Sequence, residues 1–119
     1  MVNNLEARLT DTFAALADPT RRAILERLAN GPAAMGEVAE PFGMSWPAIT
    51  KHVKVLERSR LVRREQDGRV HRIHLAAAPL REARAWIDDY RLFWEQRFDA
   101  LERYLAAPAR AKRSKGGRR

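Results

Sequence analysis

A mainly α domain with a small β-hairpin wing, the winged helix-turn-helix arrangement, is predicted by three features of this 119-residue chain. Apolar residues recur at helical spacing along most of its length. One pair of short alternating segments flanks Asp67-Gly68, a dipeptide suited to a tight two-residue turn. Directly before that pair stands a segment opened by Ser45-Trp46-Pro47, apolar along one side and basic along the other.

Each element follows from local chemistry. Leu5, Leu9, Phe13 and Leu16 predict a first helix from about Asn3 to Leu16. Asp18-Pro19 then restarts the chain, because Asp accepts from free backbone N–H groups and Pro gives up a donor that the first turn leaves unpaired. The second helix runs to about Ala29, turns Ile24, Leu25 and Leu28 inward, and stops at Asn30-Gly31-Pro32. A short third helix, Met35 to Glu40, offers Val38 and Ala39 to the core, and Pro41 must end it or tighten its last turn.

Ser45 caps a fourth helix from Trp46 to Arg58, with Pro47 tolerated in the first turn. Ile49, Val53 and Leu56 line one face, while Thr50, Lys51, Lys54 and Arg58 lie largely on the other. Residues 61–66 and 69–75 are the two strands, with Arg69 beside the Asp67-Gly68 turn and Ile73 and Leu75 alternating inward. The last helix begins near Pro79 and ends near Ala106. Its stripe of Leu80, Ala83, Ile87, Tyr90, Trp94, Leu101 and Tyr104, widened by Trp86, Phe93, Phe98 and Leu105, exceeds what one small domain covers. With the apolar first helix, it argues for pairing with a second copy. The domain is read as 1–106, followed by a basic disordered tail at 107–119.

Charge points to the partner. The net charge is +8, but Arg110–Arg119 holds six basic residues and no acid, leaving +2 elsewhere. Within that remainder, residues 46–75 carry eight basic and three acidic side chains, while 1–45 and 76–109 net −2 and −1. A positive helix followed by an arginine-studded hairpin suits placement of the helix in the DNA major groove with a wing beside it. The absence of cysteine excludes disulfides and thiolate metal sites. No signal-like or membrane-length apolar run is seen, so a cytoplasmic protein is expected.

The runs ALADPTRRAILERLANGP, GEVAEPFGMSWPAITKHVKVLERSRLV and GRVHRIHL resemble the ArsR-type (ArsR/SmtB) winged-helix transcriptional regulators over residues 5–105. The segment WIDDYRLFWEQRFDALERYL is similar to the last helix of the family's cysteine-free branch. The resemblance implies four helices, a hairpin and a fifth helix, dimerised through the first and last. It also implies a dimeric repressor on an inverted repeat in double-stranded DNA. It assigns DNA reading to Ser45, Trp46, Pro47, Thr50, Lys51, His52 and Lys54 of the fourth helix and to Arg69 of the wing. Arg63 and Arg64, with Lys51 and Lys54, suit phosphates, which set register and affinity. Thr50 suits a base edge or thymine methyl, and Arg69 a minor groove. The dimer contacts expected are Leu5, Leu9, Trp86, Tyr90, Phe93, Trp94, Leu101 and Tyr104.

This chain departs from the family pattern at several positions. Trp46 stands where a polar residue is common; packing on a thymine methyl, packing on a sugar and stapling the turn to the third helix all fit it. His52 suits either a phosphate or packing against the third helix. Arg60 replaces the glycine usual after the recognition helix, so that turn must accept a non-glycine residue, at modest cost if the backbone there is left-handed. The cysteine pair of metal-sensing relatives would fall at Ala34 and Gly36, neither of which ligates metal, and the last helix has no histidine. His71 and His74 point to opposite faces of their strand. No metal or other cofactor is therefore expected, and any effector ligand is left open. No phosphate loop or nucleophile with base partners is present, so no enzyme is expected; Asp88-Asp89 reads as a solvated helix face. The competing function is a winged-helix module for protein contacts, with non-specific nucleic-acid binding through the basic tail.

Overall fold

A computed structural model describes residues 4–115 of the chain, with side chains to residue 106. Two compact units divide it at Ala83. The first unit opens with α1 (Asn4–Leu16), which buries Leu9, Thr12 and Ala15. Leu5 and Phe13, expected on the same face as Leu9, are exposed; the buried stripe is rotated toward the small residues, which allow closer helix packing. Asp18 caps α2 (Pro19–Ala29), its carboxylate accepting from the Arg21 backbone N–H at 3.0 Å, and Ile24, Leu25 and Leu28 are buried. Gly31, at φ +134°, turns the chain beyond the helix.

A strand not expected from the sequence follows. β1 (Ala33–Ala34) pairs antiparallel with β3 (Val70–Leu75), aligning Ala33 with Ile73. Two residues are too few to show an alternating pattern. α3 (Met35–Ala39) starts where the Glu37 side chain accepts from the Ala34 N–H at 2.8 Å. Pro41 tightens the chain into a 3₁₀ turn over Glu40–Phe42, and Gly43 at φ +60° releases it toward the next helix.

The Ser45 hydroxyl accepts from the Ala48 N–H to cap α4 (Trp46–Arg58), as the sequence predicts. Ile49, Val53 and Leu56 are fully buried and anchor the helix on a core shared with Ile24, Val38, Leu61 and Ile73. Each such side chain contributes about 1.5–3 kcal/mol of burial. The C-terminus closes as a Schellman motif: the Leu61 N–H reaches the Leu56 carbonyl at 2.9 Å and the Arg60 N–H the Glu57 carbonyl at 3.0 Å. Arg60 itself takes the left-handed position at φ +63°, where glycine is the usual occupant.

β2 (Val62–Asp67) and β3 form the wing, and the sheet order is β1-β3-β2. Asp67 aligns with Val70, so the two loop residues are Gly68 and Arg69 rather than the expected Asp67 and Gly68. Only the first of them, Gly68 at φ +62°, needs positive φ. Asp67 instead completes the ladder, and Arg69 becomes the tip.

α5 spans Ala78–Lys115, beginning in the first unit, where Leu80 packs on the core and Ala83 is buried. Arg8 of α1 holds Glu82 of α5 in a bidentate pair with contacts of 2.6–3.0 Å. This pairing holds the Glu82 carboxyl below its usual range.

The second unit is the remainder of α5. Its helix continues to Lys115, whereas an end near Ala106 and a disordered tail over 107–119 were expected; residues 116–119 lie outside the described ones. Aromatic rings run along this helix in contact with one another: Trp86 stacks on Tyr90 at 4.9 Å, Phe93 meets Trp94 edge-on at 5.5 Å, and Trp94 reaches Phe98 at 6.0 Å. Arg97 lies 4.4 Å over the Phe93 ring. Asp88 pairs with Arg84 and Arg91 as an exposed charged face. Among the described residues, no helix is long and apolar enough to cross a membrane.

Candidate nucleic-acid interface

The site is built on α4. Its buried edge of Ile49, Val53 and Leu56 fixes the opposite edge outward, and at 100° per residue that edge is Pro47, Lys51, Lys54 and Arg58. All four are exposed. Three cations thus project along 13 residues of helix, and the positive end of the helix dipole lies at its Ser45-capped N-terminus. Thr50 and His52 occupy the two flanks, each partly buried.

The flanks differ in what holds them. His52 meets α2 and its cap: its Nδ1 lies 3.4 Å from the Arg21 guanidinium and 3.8 Å from the Asp18 carboxylate. Arg21 is itself fixed, donating to the Ala15 carbonyl at 2.7 Å and the Ala14 carbonyl at 3.0 Å. The N–H of Arg21, donated to the Asp18 carboxylate, holds that carboxyl below its ordinary value, with the positive charge nearby adding to the effect. This cap–arginine–histidine contact joins α2 to α4, and no sequence spacing announces it across 31 residues.

Of the three readings open for Trp46, the ring's position beside α3 suits the staple: a Cβ added at Gly36 would sit 3.9 Å from it. The ring is still 56% exposed, so most of its surface stands beside the N-terminus of α4. Among the wing residues, Arg63 and Arg72 stand exposed on the outer face of the hairpin and Arg69 at its tip. Arg64 does not join them. It lies on the inner face and grips Glu57 of α4 through contacts of 2.9 and 3.2 Å. The sequence counted Arg64 with the free wing cations and missed Glu57, because a partner seven residues away across a helix–strand junction obeys no local spacing rule. Of the dimer contacts expected on α1, Leu5 is exposed while Leu9 is buried within its own chain at 7%.

His74 bonds Glu65 at 3.1 Å on the outer face of the wing, and His71 lies on the inner one. Among the described residues, no group of three or more histidines and acids is placed to hold a metal ion.

A family model described as a helix-turn-helix domain matches residues 16–65, which span α2, α3, α4 and the start of β2. The transcriptional repressor SdpR of Bacillus subtilis is 30% identical over 79 residues, 66% of this chain and 88% of that protein. A crystal structure of an ArsR family transcriptional regulator matches with a TM-score of 0.73 at 40% identity, covering 80% of this chain and 97% of that one. The chain belongs to the ArsR family of transcriptional regulators. A second ArsR-like regulator, from Rhodococcus sp. RHA1, matches at a TM-score of 0.70 and 30% identity over 82% of this chain and 92% of its own. The HTH-type transcriptional regulator Rv2034 of Mycobacterium tuberculosis is 60% identical over 48 residues, and that match spans only 45% of its length. Within the ArsR frame, α3 and α4 are the helix-turn-helix and β2–β3 the wing.

Proposed function

We propose that this ArsR-family chain is a dimeric repressor without catalytic activity that binds an inverted repeat in duplex DNA. The observation that carries the reading is the outward row of Lys51, Lys54 and Arg58 on a helix whose other edge is fully buried. Such a helix cannot turn its cations inward, and a polyanion is the partner they suit. Lys51 and Lys54 contact phosphates, and Thr50 reads a base edge from the wing-side flank. Ser45, Pro47 and Trp46 bring the N-terminus of α4 to the groove. His52, held by α2, fixes the angle of α4 rather than reading bases. Arg63 and Arg69 extend the phosphate contacts along the wing, and Arg64 contributes only as far as Glu57 releases it.

Two copies pair through α1 and α5, using Leu5 with Trp86, Tyr90, Phe93, Trp94, Leu101 and Tyr104, and set their α4 helices about 34 Å apart in successive major grooves. The cytoplasm is the compartment that suits this role, and the basic residues of 107–119 add sequence-independent attraction. The test is a gel shift on the duplex upstream of its own gene and on a scrambled copy. A preference of at least about 10³-fold for the authentic duplex is expected of a specific regulator. Equal affinity for the two would leave only charge-driven binding.

A further inference from the structure

A cleft of about 380 Å³ opens between α1, the turn that joins α4 to β2, and the first turn of α5. That volume lies within the range of about 300–1,000 Å³ common to small-molecule sites. Its chemistry is specific. Glu82 is already neutralised by Arg8, whose Nε reaches Oε1 and whose Nη2 reaches Oε2. Arg58 at the end of α4 and Arg60 in the turn have no acid partner among the described residues, and Asp11 of α1 lines the same space. The cleft thus holds two available guanidiniums against one available carboxylate, with the buried Thr12 at its lining. Arg60 is present there at φ +63°, a backbone conformation that strains any residue but glycine. Paired guanidinium forks match the geometry of phosphate or carboxylate oxygens, and Asp11 is placed to accept from a hydroxyl or ammonium group on the same molecule.

We propose that this cleft binds a compact oxyanion that also carries a hydrogen-bond donor, such as a small phosphate compound, and that its occupancy weakens DNA binding. The coupling is short. Arg58 belongs to the outward row of α4, and Arg60 closes the motif from which the wing departs. An anion drawn between them neutralises charge beside the DNA-facing edge and biases the α4–wing junction. This inference rests on the DNA-binding reading for its consequence and on the cleft alone for its ligand.

The test uses the full chain and inorganic phosphate, whose monohydrogen form supplies both the charge and one donor. Sodium chloride at equal ionic strength serves as the control, since salt alone weakens DNA binding. Calorimetry should detect phosphate binding to the wild-type protein and not to Arg60→Gly, a variant whose backbone suits φ +63°. On DNA, phosphate should raise the wild-type Kd about fivefold over chloride, within the usual range of coupling between sites. Arg60→Gly should keep its affinity in chloride and lose the phosphate response. Phosphate binding that persists in Arg60→Gly, or none in wild type, would overturn the site. A variant that binds DNA more weakly in chloride would assign Arg60 to the duplex backbone instead. Should the wild-type chain not bind DNA at all, the DNA reading fails, and calorimetry on the free protein still decides the cleft.

Discussion

Arg60 and Asp18 show how single residues set the terms for the helices they terminate. Arg60 occupies the left-handed position of the turn after α4, and Gly there is expected to stabilise the fold by about 0.5–1 kcal/mol. Relief of left-handed strain outweighs the extra freedom glycine gains in the unfolded chain. A urea midpoint that rises without a change in slope is the expected result, and a fall would mean the side chain holds the turn through contacts. Asp18 works through charge. Its folded carboxyl titrates below the ordinary value of 3.8, because the Arg21 N–H donates to the ionised form. The resulting stabilisation is complete above that value and is lost as pH falls through the lower folded one. Asp18→Asn retains a capping oxygen but not the charge, so its stability should depend less on pH in the acid range. Equal acid sensitivity in both proteins would move the effect to another carboxyl.

At the scale of elements, the recognition helix and the wing are joined by the grip of Arg64 on Glu57. Glu57→Gln removes one partner of a partly buried pair and should cost no more than about 1 kcal/mol of stability. It also releases a guanidinium beside α4, so the salt dependence of DNA binding should steepen by about one unit. An unchanged slope would show that Arg64 does not reach the duplex backbone. Elements bounded by caps and breakers were legible in the sequence: α2 from Asp18-Pro19, α4 from Ser45, and the tightened turn at Pro41. What escaped was set by pairing between distant segments. β1 is too short for a pattern, and the ladder drew Asp67 out of the turn. α1 buries Thr12 and Ala15 in preference to Leu5 and Phe13, because helix packing selects small residues that periodicity of large ones does not mark. In the candidate site the cations of α4 were readable from its two faces. The Arg64–Glu57 and His52–Arg21 contacts arise only when the chain is folded.

For the whole molecule, the aromatic run on α5 has the larger consequence. Trp86, Tyr90, Phe93, Trp94 and Phe98 are each at least two-fifths exposed, although they touch one another. An exposed apolar patch of this kind is the reason for proposing that a second copy pairs here. Tyr90→Asp together with Trp94→Asp is expected to convert a dimer into a monomer by sedimentation, while the α4 core keeps its cooperative unfolding. DNA affinity should fall steeply, since each half-site then binds alone. A double variant that remains dimeric would place the interface elsewhere.

The most direct measurement is the affinity for promoter duplex over a range of salt, compared between wild type and Lys51→Ala/Lys54→Ala. Both side chains are exposed and no structural partner depends on them among the described residues, so the fold should be unaffected. Loss of affinity for authentic and scrambled duplex alike is expected, with a salt slope shallower by about two units. Wild-type affinity and slope in the double variant would show that the outward edge of α4 does not meet DNA.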